Sequence, residues 1–212
     1  MVNVGVIGCG YWGPNLIRNF SQIEDCKVVY CCDLDKKRLE HIKSLYPSIK
    51  TTEDYQEILK DNSIDAVAIA TPAATHFKIA KDVLDSKKHV LVEKPLTDNS
   101  KDAKELIDLS QKENRVLMVD HTFEYTSAVN KIRELIDQGE LGQIFTVDIV
   151  RVNLGLFHTD IDVIGDLVPH DASILNYILK CEPLSVRAIG ESFIQEGIAD
   201  DARLILKYPN KV

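Results

Sequence analysis

Apolar residues follow two rhythms in the first 120 positions. Short, nearly continuous apolar runs, several rich in β-branched residues, cover Val2 to Ile7, Lys27 to Cys32, Ala66 to Ala70, His89 to Val92 and Val116 to Val119; such runs predict strands buried on both faces. Between them, apolar positions recur at helical spacing over about Gly13 to Ile23, Lys36 to Tyr46, Glu53 to Lys60, His76 to Ser86 and Ser100 to Glu113. Strands of this kind alternating with helices predict a parallel sheet with helices on both sides, because each crossover lays a helix on the sheet. The expectation for residues 1–120 is an α/β, doubly wound domain.

After Asp120 the pattern changes. Asn130 to Gln138 reads as a helix stopped by Gly139, Gln143 to Asn153 as a long half-buried strand, and Val168 to Leu179 as a helix. Leu184 to Phe193 and Ala202 to Lys207 read as strands, so residues 121–212 are expected to form a second, α+β domain with a largely antiparallel sheet. Tyr208 to Lys211 looks like a hairpin turn without its return strand, which predicts that this domain is truncated.

The sharpest chemical signal is Gly8-Cys9-Gly10-Tyr11-Trp12-Gly13, a G-x-G-x-x-G that directly follows a predicted strand and opens a predicted helix. In a Rossmann domain Gly8 permits the tight turn, Gly10 lets pyrophosphate approach the backbone, and Gly13 lets helix and strand pack closely. The helix N-terminus then offers amide donors and positive potential to phosphate. Asp33 ends the second strand, 20 residues after Gly13, where a carboxylate accepts hydrogen bonds from a ribose hydroxyl and repels a 2'-phosphate. NAD is therefore favoured over NADP, although Lys36, Lys37 and Arg38 stand close enough in sequence to serve a phosphate.

Charge narrows the partners. A formal net charge of -8 leaves no basic surplus for nucleic acid or an anionic membrane surface, which points to a small-molecule substrate. No apolar run approaches the ~20 residues of a membrane span, and no basic side chain precedes Arg18, so neither a span nor a signal peptide is expected and the location reads as cytoplasmic. The five cysteines form no C-x-x-C and no metal-ligand spacing, so reduced thiols and no metal are expected; Cys31 and Cys32 point to opposite faces of one strand as core residues.

Glu93-Lys94-Pro95 follows the strand ending at Val92, and with Gly8 to Gly13, Thr71-Pro72, His76, and Asp166 four residues before His170, it stands in an order that resembles the glucose-fructose oxidoreductase, inositol dehydrogenase and rhizopine-catabolism family of NAD(P)-dependent enzymes. The segments Gly10 to Asn15, His121 to Tyr125 and Arg151 to Gly155 are similar to the branch acting on UDP-N-acetylglucosamine and its uronic acid, whose members oxidise the C3 hydroxyl. The resemblance implies that Lys94 touches nicotinamide and substrate, that Pro95 follows a cis peptide, that His170 is the acid/base, and that members associate through the outer sheet of the second domain. A homo-oligomer is then expected if that domain is complete.

The chemistry agrees with those residue types. Oxidising a secondary alcohol needs hydride departure to nicotinamide and proton removal from oxygen, hence a base near neutral pKa beside a cation. His170 is the expected base, Lys94 the expected cation at the developing alkoxide, and Asp166, one helical turn before His170, either orients the imidazole or caps the helix with Pro169 in its first turn. Arg151 and Asn153 share one face of the predicted strand and are expected to bind substrate phosphate or N-acetyl groups, a structural ion pair being the competing role for Arg151. Thr71, Pro72, His76 and Glu93 are placed with the glycine loop at the cofactor, and Tyr11 and Trp12 either stack near it or belong to a domain-interface core. Two other readings stay open: a dehydrogenase of a free polyol or simple sugar such as an inositol, and a non-catalytic NAD-binding module or fragment.

Overall fold

The computed structural model describes residues 1–152 and 161–212, the side chain of Lys211 apart. The predicted strands of the amino-terminal part are β1 (Val2–Ile7), β2 (Cys26–Cys32), β4 (Ala66–Ile69), β5 (His89–Val92) and β6 (Leu117–Val119), and all are parallel. A sixth, β3 (Lys50–Thr52), joins them and gives the order β3-β2-β1-β4-β5-β6. Its three residues carry no apolar run because it is an edge strand, recruited by backbone pairing of Lys50 and Thr52 with Tyr30 and Cys32. The connecting helices are α1 (Gly13–Ser21), α2 (Lys36–Leu45), α3 (Tyr55–Lys60), α4 (His76–Asp85) and α5 (Ser100–Lys112).

Two cores sandwich the sheet, as near-continuous apolar strands require. On one face Ile7, Cys32, Val67, Ile69, Val90 and Val92 pack with Ile58, Ile79, Val83, Leu84 and Leu106 from α3, α4 and α5. On the other, Val4, Val6, Val28, Cys31 and Ala68 pack with Leu16, Ile17, Leu39 and Ile42 from α1 and α2. Neighbouring Cys31 and Cys32 thus enter opposite cores as buried free thiols. The strand order reverses between β1 and β4, which opens the crevice at the carboxyl ends where folds of this type take ligands.

The chain divides into two compact units, Met1–Asp120 and His121–Val212. The second contains α6 (Ser127–Asp137), α7 (Val163–Leu179) and the antiparallel pair β7 (Ser185–Glu191) and β8 (Asp201–Lys207), with Ser185 opposite Lys207 and Glu191 opposite Asp201. Val129, Leu175, Ile178 and Tyr208 form its core. Gly139 follows α6 at φ 74, a left-handed stop. Tyr208 N–H donates to the Val212 carbonyl at 2.8 Å, closing a tight turn through Pro209–Lys211.

Two expectations for this unit are corrected. Gln143 to Val152 is not a strand; Asn153, the last residue of that expected strand, lies outside the described residues. Alternation makes a strand only where a neighbour supplies a hydrogen-bonded ladder, and here Val147 packs on the core while Phe145, Val150 and Val152 are exposed. Helix α7 starts at Val163 rather than Val168, because Asp162 caps it: its Oδ1 accepts the Gly165 N–H at 2.7 Å. Pro169 therefore lies in the helix interior, and Asp166 sits in the first turn beside the cap instead of being the cap. Replacing Asp162 with Ala should destabilise the protein by about 1 kcal/mol in urea denaturation; an unchanged midpoint would show that this cap does not set the helix start.

Candidate active site

The first unit carries a cradle at the ends of β1 and β2. Gly8 has φ +94, and a Cβ there would lie 2.5 Å from the Ala70 carbonyl oxygen, so the turn admits only glycine. A Cβ on Gly13 would meet the Gly8 carbonyl oxygen at 2.0 Å, which is how closely α1 approaches β1. Gly10 faces open space, with Arg38 Nη1 the nearest atom at 3.6 Å from such a Cβ. The first turn of α1 carries no acidic side chain, and Trp12 at its N-cap makes no capping hydrogen bond. An open backbone at a helix N-terminus fits a pyrophosphate.

Asp33 closes this cradle. Its Oδ2 accepts the Cys9 N–H at 2.7 Å and its Oδ1 accepts the Asp35 N–H at 2.8 Å, so the acid fastens the glycine loop to the end of β2. Among the three basic residues that follow, Arg38 turns toward it, with Nη1 3.4 Å from Asp33 Oδ2 and Nε 3.7 Å from Asp35 Oδ2. Lys36 instead pairs with Glu53 at 3.3 Å. Tyr11 and Trp12 meet edge to face with centroids 5.3 Å apart and are 84% and 49% exposed.

The loops after β4 and β5 are stitched together. Thr71 Oγ1 shares a 2.7 Å hydrogen bond with Thr75 Oγ1, and Thr75 Oγ1 donates to the Pro72 carbonyl at 2.7 Å. His76, expected to line the cofactor pocket, is 1% exposed, with Nδ1 2.7 Å from the Pro95 carbonyl and Nε2 2.8 Å from the Thr71 carbonyl. Both partners only accept, so the neutral ring satisfies one at a time and the imidazolium both. Its place is inside the protein, tying the Thr71-Pro72 turn to the segment after Lys94.

Lys94 is held on both sides through the backbone. Glu93 N–H donates to the Ile69 carbonyl at 2.9 Å, the Lys94–Pro95 peptide is cis, and the Pro95 carbonyl meets His76. Glu93 is buried and hydrogen bonded to Asp120, whose own N–H donates to the Val92 carbonyl at 2.9 Å. Burial first, then the Asp120 charge and hydrogen bond, push the Glu93 carboxyl from its ordinary 4.5 up to about 7.

In the second unit, α7 carries Asp166 and His170 at i and i+4 on one face. The His170 ring packs edge to face on Phe123, centroids 4.8 Å apart at 72°. The Arg151 guanidinium carbon lies 4.8 Å from the centroid of that same Phe123 ring, and Arg151 Nε donates to Asp171 Oδ1 at 2.6 Å. The structural ion pair considered for Arg151 is thus present. Asn153 lies outside the described residues. Sequence reasoning did not single out Asp120 or Asp171, and named Phe123 only within a motif. Position at a strand end was the available signal for Asp120; for Asp171 there was none.

A glycine loop at the switch point of a parallel sheet, with an acid closing β2, defines a dinucleotide-binding domain of the Rossmann type. Comparison with known proteins gives the family. The oxidoreductase family pattern with an NAD-binding Rossmann fold matches residues 2–121, and the GFO/IDH/MocA C-terminal domain pattern matches residues 129–212. The chain belongs to the GFO/IDH/MocA family. It is 26% identical to myo-inositol 2-dehydrogenase of Thermotoga maritima, over 98% of this chain and 65% of that protein. It is 29% identical to UDP-N-acetylglucosamine 3-dehydrogenase of Acidithiobacillus ferrooxidans, over 92% of this chain and 60% of that protein. The crystal structure of a probable dehydrogenase from Thermotoga maritima superposes with a TM-score of 0.86 at 24% identity, over 99% of this chain and 66% of that one. The chain thus spans 60 to 66% of the length of these proteins.

Proposed function

We propose that this chain carries out NAD-dependent hydride transfer between nicotinamide and a secondary alcohol of a sugar, the C3 hydroxyl of a UDP-N-acetylhexosamine or its uronic acid. The observation that carries the reading is Lys94, fixed at the carboxyl end of β5 between hydrogen-bonded Glu93 and cis Pro95, in the same unit as the glycine loop. A cation held on rigid backbone at the ligand edge of a parallel sheet suits an alkoxide.

The amides of Gly8 to Gly13 and the start of α1 would hold the pyrophosphate, and Asp33 the adenosine ribose hydroxyls. When bound, the nicotinamide supplies the hydride acceptor. Lys94 Nζ donates to the substrate oxygen and stabilises charge as the proton leaves. His170 takes that proton, and Asp166, one turn before it, favours the charged imidazole. Arg151, oriented by Asp171, offers its terminal guanidinium nitrogens to an anionic substrate group, with Asn153 beside it in sequence. NAD is preferred to NADP because the Asp33 carboxylate repels a 2'-phosphate and Arg38 is already turned to Asp33 and Asp35.

Similarity to the inositol dehydrogenase supports a second substrate, a free polyol. Association belongs to the first reading as well: Ile189 and Ile205 share one face of the β7–β8 pair and are more than half exposed, apolar positions suited to another copy. No helix among the described residues is long and apolar enough to cross a membrane. The experiment is to supply NAD with UDP-N-acetylglucosamine, its uronic acid, myo-inositol or free glucose and follow reduced nicotinamide by absorbance. Turnover with the UDP-sugars is expected. Turnover confined to the free polyols would replace the substrate, and NAD binding without any turnover would leave a non-catalytic NAD-binding module.

A further inference from the structure

The second unit holds an aromatic residue that none of the proposed chemistry uses. Phe123 lies in the short helical turn Thr122–Tyr125, well before α7 in sequence. Its ring contacts the His170 imidazole edge to face at 4.8 Å and the Arg151 guanidinium at 4.8 Å. Arg151 in turn donates to Asp171, the residue after His170 on α7. Three separate segments therefore close a circuit, from His170 to Phe123 to Arg151 to Asp171 and back along the helix. Each contact restrains the next.

Such a restraint is needed at this point of the helix. Pro169 lacks the N–H that would bond the Gly165 carbonyl, so the backbone entering His170 is missing one helical hydrogen bond. The edge-to-face contact with Phe123 adds a side-chain restraint on the imidazole there. Proton transfer depends on placement, and a displacement of about 1 Å in a reacting group costs on the order of 100-fold in rate.

We propose that Phe123 is a positioning residue for His170, its ring fixed by the Arg151–Asp171 pair so that the imidazole stays in one orientation for proton transfer. This rests on the base role given to His170 above, and the test separates the two. Carbethoxylation of His170 by diethyl pyrocarbonate, quantified by peptide mass spectrometry, reads the restraint without any turnover. Phe123→Ala should accelerate labelling of His170 by about 5-fold or more, and Phe123→Tyr, which keeps the ring, should label at the wild-type rate. With sugar and NAD, Phe123→Ala should lower kcat on the order of 10- to 100-fold while KM for both substrates changes by less than about 3-fold, and Phe123→Tyr should restore kcat. Unchanged labelling in Phe123→Ala, or faster labelling with undiminished kcat, overturns the proposal. If the wild-type chain shows no turnover, the function proposed above fails while labelling still decides whether the ring holds the imidazole.

Discussion

Lys94→Ala should lose on the order of 100- to 1000-fold in turnover while binding NAD within about 3-fold of the wild-type affinity. The asymmetry follows from where the residue stands. The cradle for the dinucleotide is made by Gly8 to Gly13 and Asp33, through backbone amides and a carboxylate that do not involve Lys94. The lysine is placed by Glu93 N–H on Ile69 and by the Pro95 carbonyl on His76, so its stem starts from a rigid point at the carboxyl edge of the sheet. In the proposed reaction, removing the ammonium takes away charge stabilisation that matters only as the alkoxide develops. Lys94→Arg should not recover the rate, because a planar guanidinium does not occupy the place of a compact ammonium. Stopped assays of reduced nicotinamide, with NAD affinity read from quenching of Trp12 fluorescence, give both quantities. Wild-type turnover in Lys94→Ala would remove the residue from the reaction.

The buried carboxyl beside it gives the second large effect, on stability rather than rate. Glu93 titrates at about 7 in the folded protein against 4.5 ordinarily, because burial and Asp120 disfavour its charge. Folding therefore favours the protonated form. Its contribution is complete below about pH 4.5, falls away as pH rises toward 7, and is lost above that. A difference of this size corresponds to about 3 kcal/mol. Glu93→Gln keeps the shape without the charge: its carbonyl can accept the Lys94 N–H that Glu93 accepts, and its amide can donate to Asp120. The variant should match the wild type near pH 4.5 and exceed it above pH 7, by 5 °C or more in Tm. Parallel Tm profiles across that range would mean that the carboxylate is not penalised in the fold.

Legibility differed between the two units for a physical reason. In the first, each strand is buried on both faces, so its apolar run is dictated by its own surroundings and is visible without its neighbours. The edge strand β3 has only one neighbouring strand and half-polar surroundings, and Lys50-Thr51-Thr52 left no trace. In the second unit, Ile144, Phe145, Val147, Ile149 and Val152 alternate as a strand should, yet no ladder forms over Gln143 to Val152. Pro169 suggested a first turn, but the Asp162 side chain, seven residues earlier, sets where α7 begins. A cap outranks a proline as a start signal when the helix can tolerate one lost hydrogen bond.

The sequence alone determined the doubly wound sheet, the glycine loop with its acid at Asp33, and the Glu93-Lys94-Pro95 motif, because each shows in residue types at strand positions and strand ends: apolar runs, glycines, an acid and a contiguous tripeptide. Only the tertiary structure decided that His76 ties two loops instead of facing a pocket, that Glu93 is buried against Asp120, and that Phe123 joins His170 to Arg151 and Asp171. Those are contacts between segments 5 to 47 positions apart in the chain. No periodicity encodes such pairs, since they arise from where strand ends and helices are brought together by packing.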